Sequence, residues 1–179
     1  MKMNEKRRYI EKPVGHHCFG CGTANPVGLN MQFYPCGDML CSDVVLRGEH
    51  VGWENIAHGG IISTLLDEIM SWSIIYFRRV FFVTRKMEVK YVAPVPVGVP
   101  LTARGRIVDP TDPRHLKLAG ELVDAEGRVL AKSKGDFVEL SLERLPGVPE
   151  VVKEEMMRLF SIYASTGNAR RPAEGAGNG

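Results

Sequence analysis

Between Gly60 and Phe77, the apolar residues Ile61, Ile62, Leu65, Leu66, Ile69, Met70, Trp72, Ile74, Ile75 and Phe77 cover most of the helical circumference. That spacing predicts one long helix buried on nearly all sides. Ahead of it, LNMQFY (29–34) and MLCSDVVL (39–46) alternate imperfectly around Pro35, Cys36, Gly37 and Asp38, which predicts a hairpin-like pair of strands. GEHVGWENIAHGG, with four glycines, reads as the connection into the helix. After the helix, VFFVTRKMEVKYVAPV, LTARGRIVD and HLKLAGELVDAEGRVLAKSKGDFVEL hold four strands, the last two joined by a tight turn at Glu126-Gly127. VPEVVKEEMMRLFSIYA (148–164) has helical spacing, with Pro149 near its start.

The flanks are different. Residues 1 to 14 read as a polar arm, and GHHCFGCGTANPVG (15–28) reads as irregular turn structure. STGNARRPAEGAGNG holds too few apolar residues to order itself, so residues 165–179 are expected to form a disordered tail. Strands joined by short turns must be largely antiparallel, because parallel crossovers need a dozen or more residues. The expected architecture is therefore α+β, a sheet of about five to six antiparallel strands with one helix on a single face. The main domain spans 15–145, followed by a peripheral helix over 146–164.

Composition narrows the function. A chain of 179 residues, 44% hydrophobic and 25% charged, is the make-up of a single globular domain. Its 23 Lys+Arg against 21 Asp+Glu leave a formal net charge of +2, too little for a broad phosphate-neutralising surface, so a nucleic-acid partner is not expected. The basic start MKMNEKRRYIEK has no apolar h-region, and no stretch reads as a membrane span, so a cytoplasmic location is expected. With no secretory signal, Cys18, Cys21, Cys36 and Cys41 are expected as reduced thiols that pack the N-terminal loop against the sheet. CFGC behind His16 and His17 has the local spacing of a metal knuckle that Cys36 and Cys41 would complete, but those two sit on strand ends. No resident metal or cofactor is expected.

The chemistry concentrates on the central helix. His58-Gly59-Gly60 stands where it begins, and Asp67-Glu68 lies in its middle, amid residues otherwise apolar, Ser or Thr. A carboxylate taken into a core without a partner costs several kcal/mol or takes up a proton. Local provision is expected from Ser63, Thr64 and Ser71, one helical turn on either side of Asp67. One reading is a polar seam against a partner subunit. The other is a catalytic base, with the free amides at the glycine-rich helix start directed at developing negative charge. Gly59 and Asp67 are eight residues apart. At about 1.5 Å of rise per residue they lie about 12 Å apart along the axis, so one carbonyl meets both only if they come from different subunits of a dimer.

HGGIISTLLDE, followed by VTRKMEVKYVAPVPVG, LTARGRIV and GRVLAKSKGDFVEL, resembles the hotdog-fold acyl-CoA thioesterases of the phenylacetate-pathway type over most of residues 18–140, and CFGCGTANPVGLNMQF is similar to the start of many members. The resemblance implies a long helix wrapped by a curved antiparallel sheet, pairing of two such units, and thioester hydrolysis at the dimer interface. It implies that Asp67 activates water or attacks directly and that the Gly59 amide polarises the thioester carbonyl. Thr84 matches a hydroxyl residue that helps hold the water, and His58 matches the motif's orienting histidine. Several relatives carry Asn where this chain has Gly52; the nearby Asn55 either substitutes for it or serves a turn in the Gly-rich connection.

Substrate contacts are accordingly assigned to Gly60, Asn55, Ser63, Arg85 and Lys86, with Arg78 and Arg79 as further cations for the phosphates of coenzyme A. Trp53, Trp72, Tyr76 and Phe77 are the candidates for an acyl pocket. The expected protein is an acyl-CoA thioesterase acting as a homodimer, with a dimer of dimers as the larger assembly. A non-catalytic acyl-CoA-binding protein and an enoyl-thioester hydratase are the competing readings; neither explains the full set of His58, Gly59, Asp67 and Thr84 as well.

Overall fold

A computed structural model describes residues 7–166 apart from 110, 113 and 146. Most of the expected tail and the first six residues of the arm lie outside the described residues. Strands β1 (Tyr34–Cys36), β2 (Met39–Val45), β3 (Val51–Trp53) and β4 (Ile56–Ala57) precede helix α1 (Gly59–Phe77). Then come β5 (Phe81–Tyr91), β6 (Pro100–Asp109), β7 (His115–Asp124), β8 (Val129–Leu140) and helix α2 (Glu150–Ser165). Six strands form one antiparallel sheet in the order β1-β2-β6-β7-β8-β5, and β3 pairs with β4 as a small separate hairpin. The α+β expectation and its strand count hold.

Period-two alternation puts Leu101 and Ala103 of β6, Leu116, Leu118 and Leu122 of β7, and Ala131 and Phe137 of β8 into the core. They meet Leu65, Leu66, Ile69, Met70 and Ile74 of α1, all fully buried. Closest approach falls at Gly105, where a Cβ would stand 2.6 Å from Ser73 Oγ and 2.7 Å from the Ile69 carbonyl oxygen. Because the second obstacle is helix backbone, Gly105→Ala must push α1 off the sheet. We expect a loss of about 1–3 kcal/mol in chemical denaturation, the usual cost of overpacking.

Four expectations need correction. Residues 29–33 are not strand: Asn30 takes φ 45°, and the Leu29 and Met31 amides bond the carbonyls of Phe19 and Gly20, so this stretch anchors the N-terminal loop instead. The arm is not merely polar, because Lys12 is buried with Nζ 2.6 Å from the Cys21 carbonyl oxygen and 2.8 Å from that of Met31. Cys36 and Cys41, diagonal neighbours across the β1–β2 pair with Cα atoms 6.2 Å apart, are joined in a disulfide rather than reduced. Finally, α1 is long and apolar enough by composition to cross a membrane, yet half of that stretch is buried within the protein and the sheet packs along it.

The C-terminal helix adds to the same core. Leu159 and Tyr163 of α2 are fully or almost fully buried, with the Tyr163 ring 5.4 Å from that of Tyr76. The Tyr163 hydroxyl donates to the Glu11 carbonyl, and Arg158 pairs with the Glu11 carboxylate at 2.5 Å.

Candidate functional site

α1 starts as its sequence dictates. His58, extended at φ −62°, ψ 137°, caps the helix, its Nδ1 accepting the Gly60 amide at 3.0 Å. The His58 ring is thereby held against the first turn of the helix. Tyr91, at the end of β5, donates its hydroxyl to the Gly59 carbonyl oxygen at 3.0 Å and lies 2.9 Å from the Ser63 hydroxyl. Nothing in the sequence pattern singled out Tyr91, which reads there as an ordinary strand aromatic. Gly52 packs so closely that a Cβ would stand 2.7 Å from the His58 Cα. The Asn of several relatives therefore has no room in this chain.

Two turns further along, Asp67 is half-buried and Thr84 Oγ1 of β5 donates to its Oδ1 at 3.0 Å. The partner is thus a strand hydroxyl and not the expected helical stripe. Thr64 turns back to the Gly60 carbonyl oxygen at 2.9 Å, and Ser63 is engaged with Tyr91. Burial raises the Asp67 pKa above the ordinary carboxylate range, the Thr84 hydrogen bond opposes that shift, and the charge of Cys18 adds to it. The backbone bulges just after Thr84: Thr84 pairs with Phe137 and Lys86 with Asp136, leaving Arg85 as the extra residue.

The remaining expected contacts scatter. Arg85 pairs with Asp136 at 3.3 Å and Lys86 with Glu88 at 2.9 Å, both largely exposed on β5. Asn55 lies in the β3–β4 turn next to Glu54, which takes φ 47°, and the Asn55 carbonyl accepts the Val97 amide at 2.9 Å. Of the aromatic candidates, Trp72 and Tyr76 are core, with Trp72 stacked on Phe33 at 4.7 Å. Trp53 is 80% exposed and, with Gly59, Ile62 and Tyr91, lines an open cleft of about 460 Å³ beside the helix start. Within one chain, then, the residues form two separate groups: His58, Gly59, Gly60, Ser63 and Tyr91 at one end, and Asp67 with Thr84 at the other.

A second group of side chains adjoins Asp67. Glu68 accepts the Trp72 indole N–H at 3.0 Å, and the Cys18 sulfur lies 3.8 Å from both of its carboxylate oxygens. Desolvation, with the Cys18 charge, pushes Glu68 up to about 7, while the Cys21 thiol and the Gly20 and Cys21 amides hold Cys18 down at about 5. Cys18, Cys21 and Glu68 bring their ligating atoms within 4.8 Å of one another.

Residues 54–131 match the family model described as Thioesterase superfamily. Among solved structures, one described as a thioesterase superfamily protein superposes with a TM-score of 0.63 at 25% identity, covering 68% of this chain and 60% of that one. This chain thus spans three fifths of that protein's length. The PaaI protein of the Escherichia coli phenylacetic acid degradation operon matches with a TM-score of 0.58 at 14% identity, over 63% of this chain and 81% of its own. A hypothetical thioesterase from Streptococcus pneumoniae TIGR4, solved with coenzyme A, matches with a TM-score of 0.57 at 19% identity, over 63% and 87%. No curated protein sequence matches the chain. Over residues 54–131 the chain is thus similar to the thioesterase superfamily, and the fold built around that segment is the hotdog fold.

Proposed function

We propose that the protein hydrolyses acyl-CoA thioesters at two sites shared across a homodimer. The observation that carries this reading is the pairing of a half-buried Asp67 with the Thr84 hydroxyl, on a helix whose first residue, Gly59, has an amide without a hydrogen-bond partner among the described residues. Asp67 takes a proton from a water held by Thr84. The water oxygen attacks the thioester carbonyl carbon, and the oxyanion is met by the Gly59 N–H of the other subunit. Collapse of the tetrahedral adduct expels the coenzyme A thiolate, a leaving group that needs little protonation. Direct attack by the Asp67 carboxylate uses the same position.

Two features support the shared site. The half-sites are too far apart along α1 to serve one carbonyl, since eight residues at about 1.5 Å each separate them by about 12 Å. Strand β5, which carries Thr84, is an edge strand with a largely exposed face, the kind of element a second copy can cover. Acyl groups are expected in the Trp53 cleft, and the exposed cations Arg85 and Lys86 suit phosphate groups.

A thiol-release assay across short, long and aromatic acyl-CoAs, run alongside light scattering, tests the reading. The expected result is release of coenzyme A by a dimer or larger assembly. An active, strictly monomeric protein would refute the shared site, and no release from any substrate would favour a binding role.

A further inference from the structure

Cys18, Cys21 and Glu68 form a group that thioester hydrolysis does not use. The two cysteines are free thiols, one exposed and one buried, on the loop that leads into the first strands; Glu68 comes from the middle of α1. The loop is folded as a knuckle. The Gly22 amide bonds the Cys18 carbonyl at 2.9 Å, and the Gly20 and Cys21 amides point at the Cys18 sulfur.

From the other side, the indole of Trp72 holds Glu68 Oε1 at 3.0 Å, and Gly20 makes room for Oε2, since a Cβ on Gly20 would lie 2.5 Å from that atom. This is how ligating carboxylates are usually oriented, by a hydrogen bond from outside the coordination shell. Lys12 reaches the loop, but its ammonium contacts the carbonyl oxygens of Cys21 and Met31 and so is not directly bonded to the three donors. His16, two residues before Cys18, carries a buried Nε2 with no hydrogen-bond partner among the described residues, a spare donor on the same loop.

We infer that Cys18, Cys21 and Glu68 bind one Zn²⁺ ion, which ties the N-terminal loop to the central helix at the residue next to Asp67. The spacing is suitable. Ligands at about 2.3 Å (sulfur) and about 2.1 Å (oxygen) across a tetrahedral angle lie about 3.6 Å apart, and the Cys18 sulfur is 3.8 Å from each Glu68 oxygen. Two thiolates select a borderline-soft ion over calcium or magnesium. A fourth position stays open for water. The inference reverses the expectation of no metal, and it differs from the four-cysteine alternative because Cys36 and Cys41 are consumed by their disulfide. It does not depend on the protein being a thioesterase.

The experiment is a Co²⁺ titration of the full chain, reduced, in a Cys36→Ser/Cys41→Ser background so that only Cys18 and Cys21 are thiols. One Co²⁺ per chain should bind, with a thiolate-to-cobalt charge-transfer band and the intense visible bands of a four-coordinate site, and Zn²⁺ should displace it. Glu68→Gln keeps the shape of the side chain and should weaken Zn²⁺ at least tenfold while shifting the visible bands. Gly20→Ala should also weaken it, by displacing Glu68. Absence of a charge-transfer band at stoichiometric Co²⁺, or a band unchanged in both Cys18→Ser and Cys21→Ser, overturns the site. An unaltered spectrum and Zn²⁺ affinity in Glu68→Gln would also overturn it as stated.

Discussion

Asp67→Asn lowers kcat for acyl-CoA hydrolysis by about 10²–10⁴-fold, the usual contribution of a positioned general base, while KM changes little. The amide is close to isosteric and still accepts the Thr84 hydroxyl, so the geometry at 3.0 Å is retained and the loss is chemical. Stability should move the other way. Burial raises the Asp67 pKa in the folded protein, so its ionised form weighs against folding at neutral pH, and only below its unfolded pKa, with the acid protonated in both states, does that penalty vanish. A neutral amide removes the penalty. We therefore expect Asp67→Asn to melt at the same temperature as the parent or higher at pH 7, and at no higher temperature once the pH falls below the ordinary Asp range. Undiminished hydrolysis by Asp67→Asn would remove the carboxylate from the mechanism.

Gly59→Pro should cost about 10²–10³ in kcat, the loss typical of deleting one oxyanion donor. The substitution suits the site unusually well as a probe. Gly59 is the first residue of α1, where proline is favoured and the amide has no intrahelical partner. His58 before it is already extended at ψ 137°, as a residue preceding proline must be. A Cβ at this position is crowded by the Tyr91 hydroxyl at 3.3 Å, so the variant should be compared with Gly59→Ala, which shares that contact and keeps the N–H. A large loss in the proline variant alone identifies the amide; equal losses in both implicate the contact with Tyr91.

Much of this was legible in the sequence because its strongest signals are local. The apolar run from Gly60 to Phe77 admitted only a buried helix, and the carboxylate in its midst was out of place enough to mark Asp67. What was not legible depends on tertiary contact. Thr84 meets Asp67 only because β5 runs past the middle of α1, and Tyr91 reaches Gly59 only because the same strand ends at the helix start. The stretch 29–33 looked like strand from its alternation, but its amides are taken by the N-terminal loop, a non-local pairing that periodicity does not encode. Likewise, the Cys36–Cys41 pairing follows from strand register, and the grouping of Cys18 and Cys21 with Glu68 joins a loop to a helix residue that lies, for Cys18, fifty positions away.

Mixing the two inactive variants tests the shared active site most directly. Equal amounts of Asp67→Asn and Gly59→Pro chains, dissociated and reassociated, give heterodimers in half of the assemblies. Each heterodimer holds one site with both residues intact, the Gly59 amide from one chain and the Asp67 carboxylate from the other, and one site with neither. Recovery of about a quarter of the parent activity is the predicted result for random pairing. Heterodimers that form yet recover no activity would contradict the account, placing Gly59 and Asp67 in separate roles within single chains.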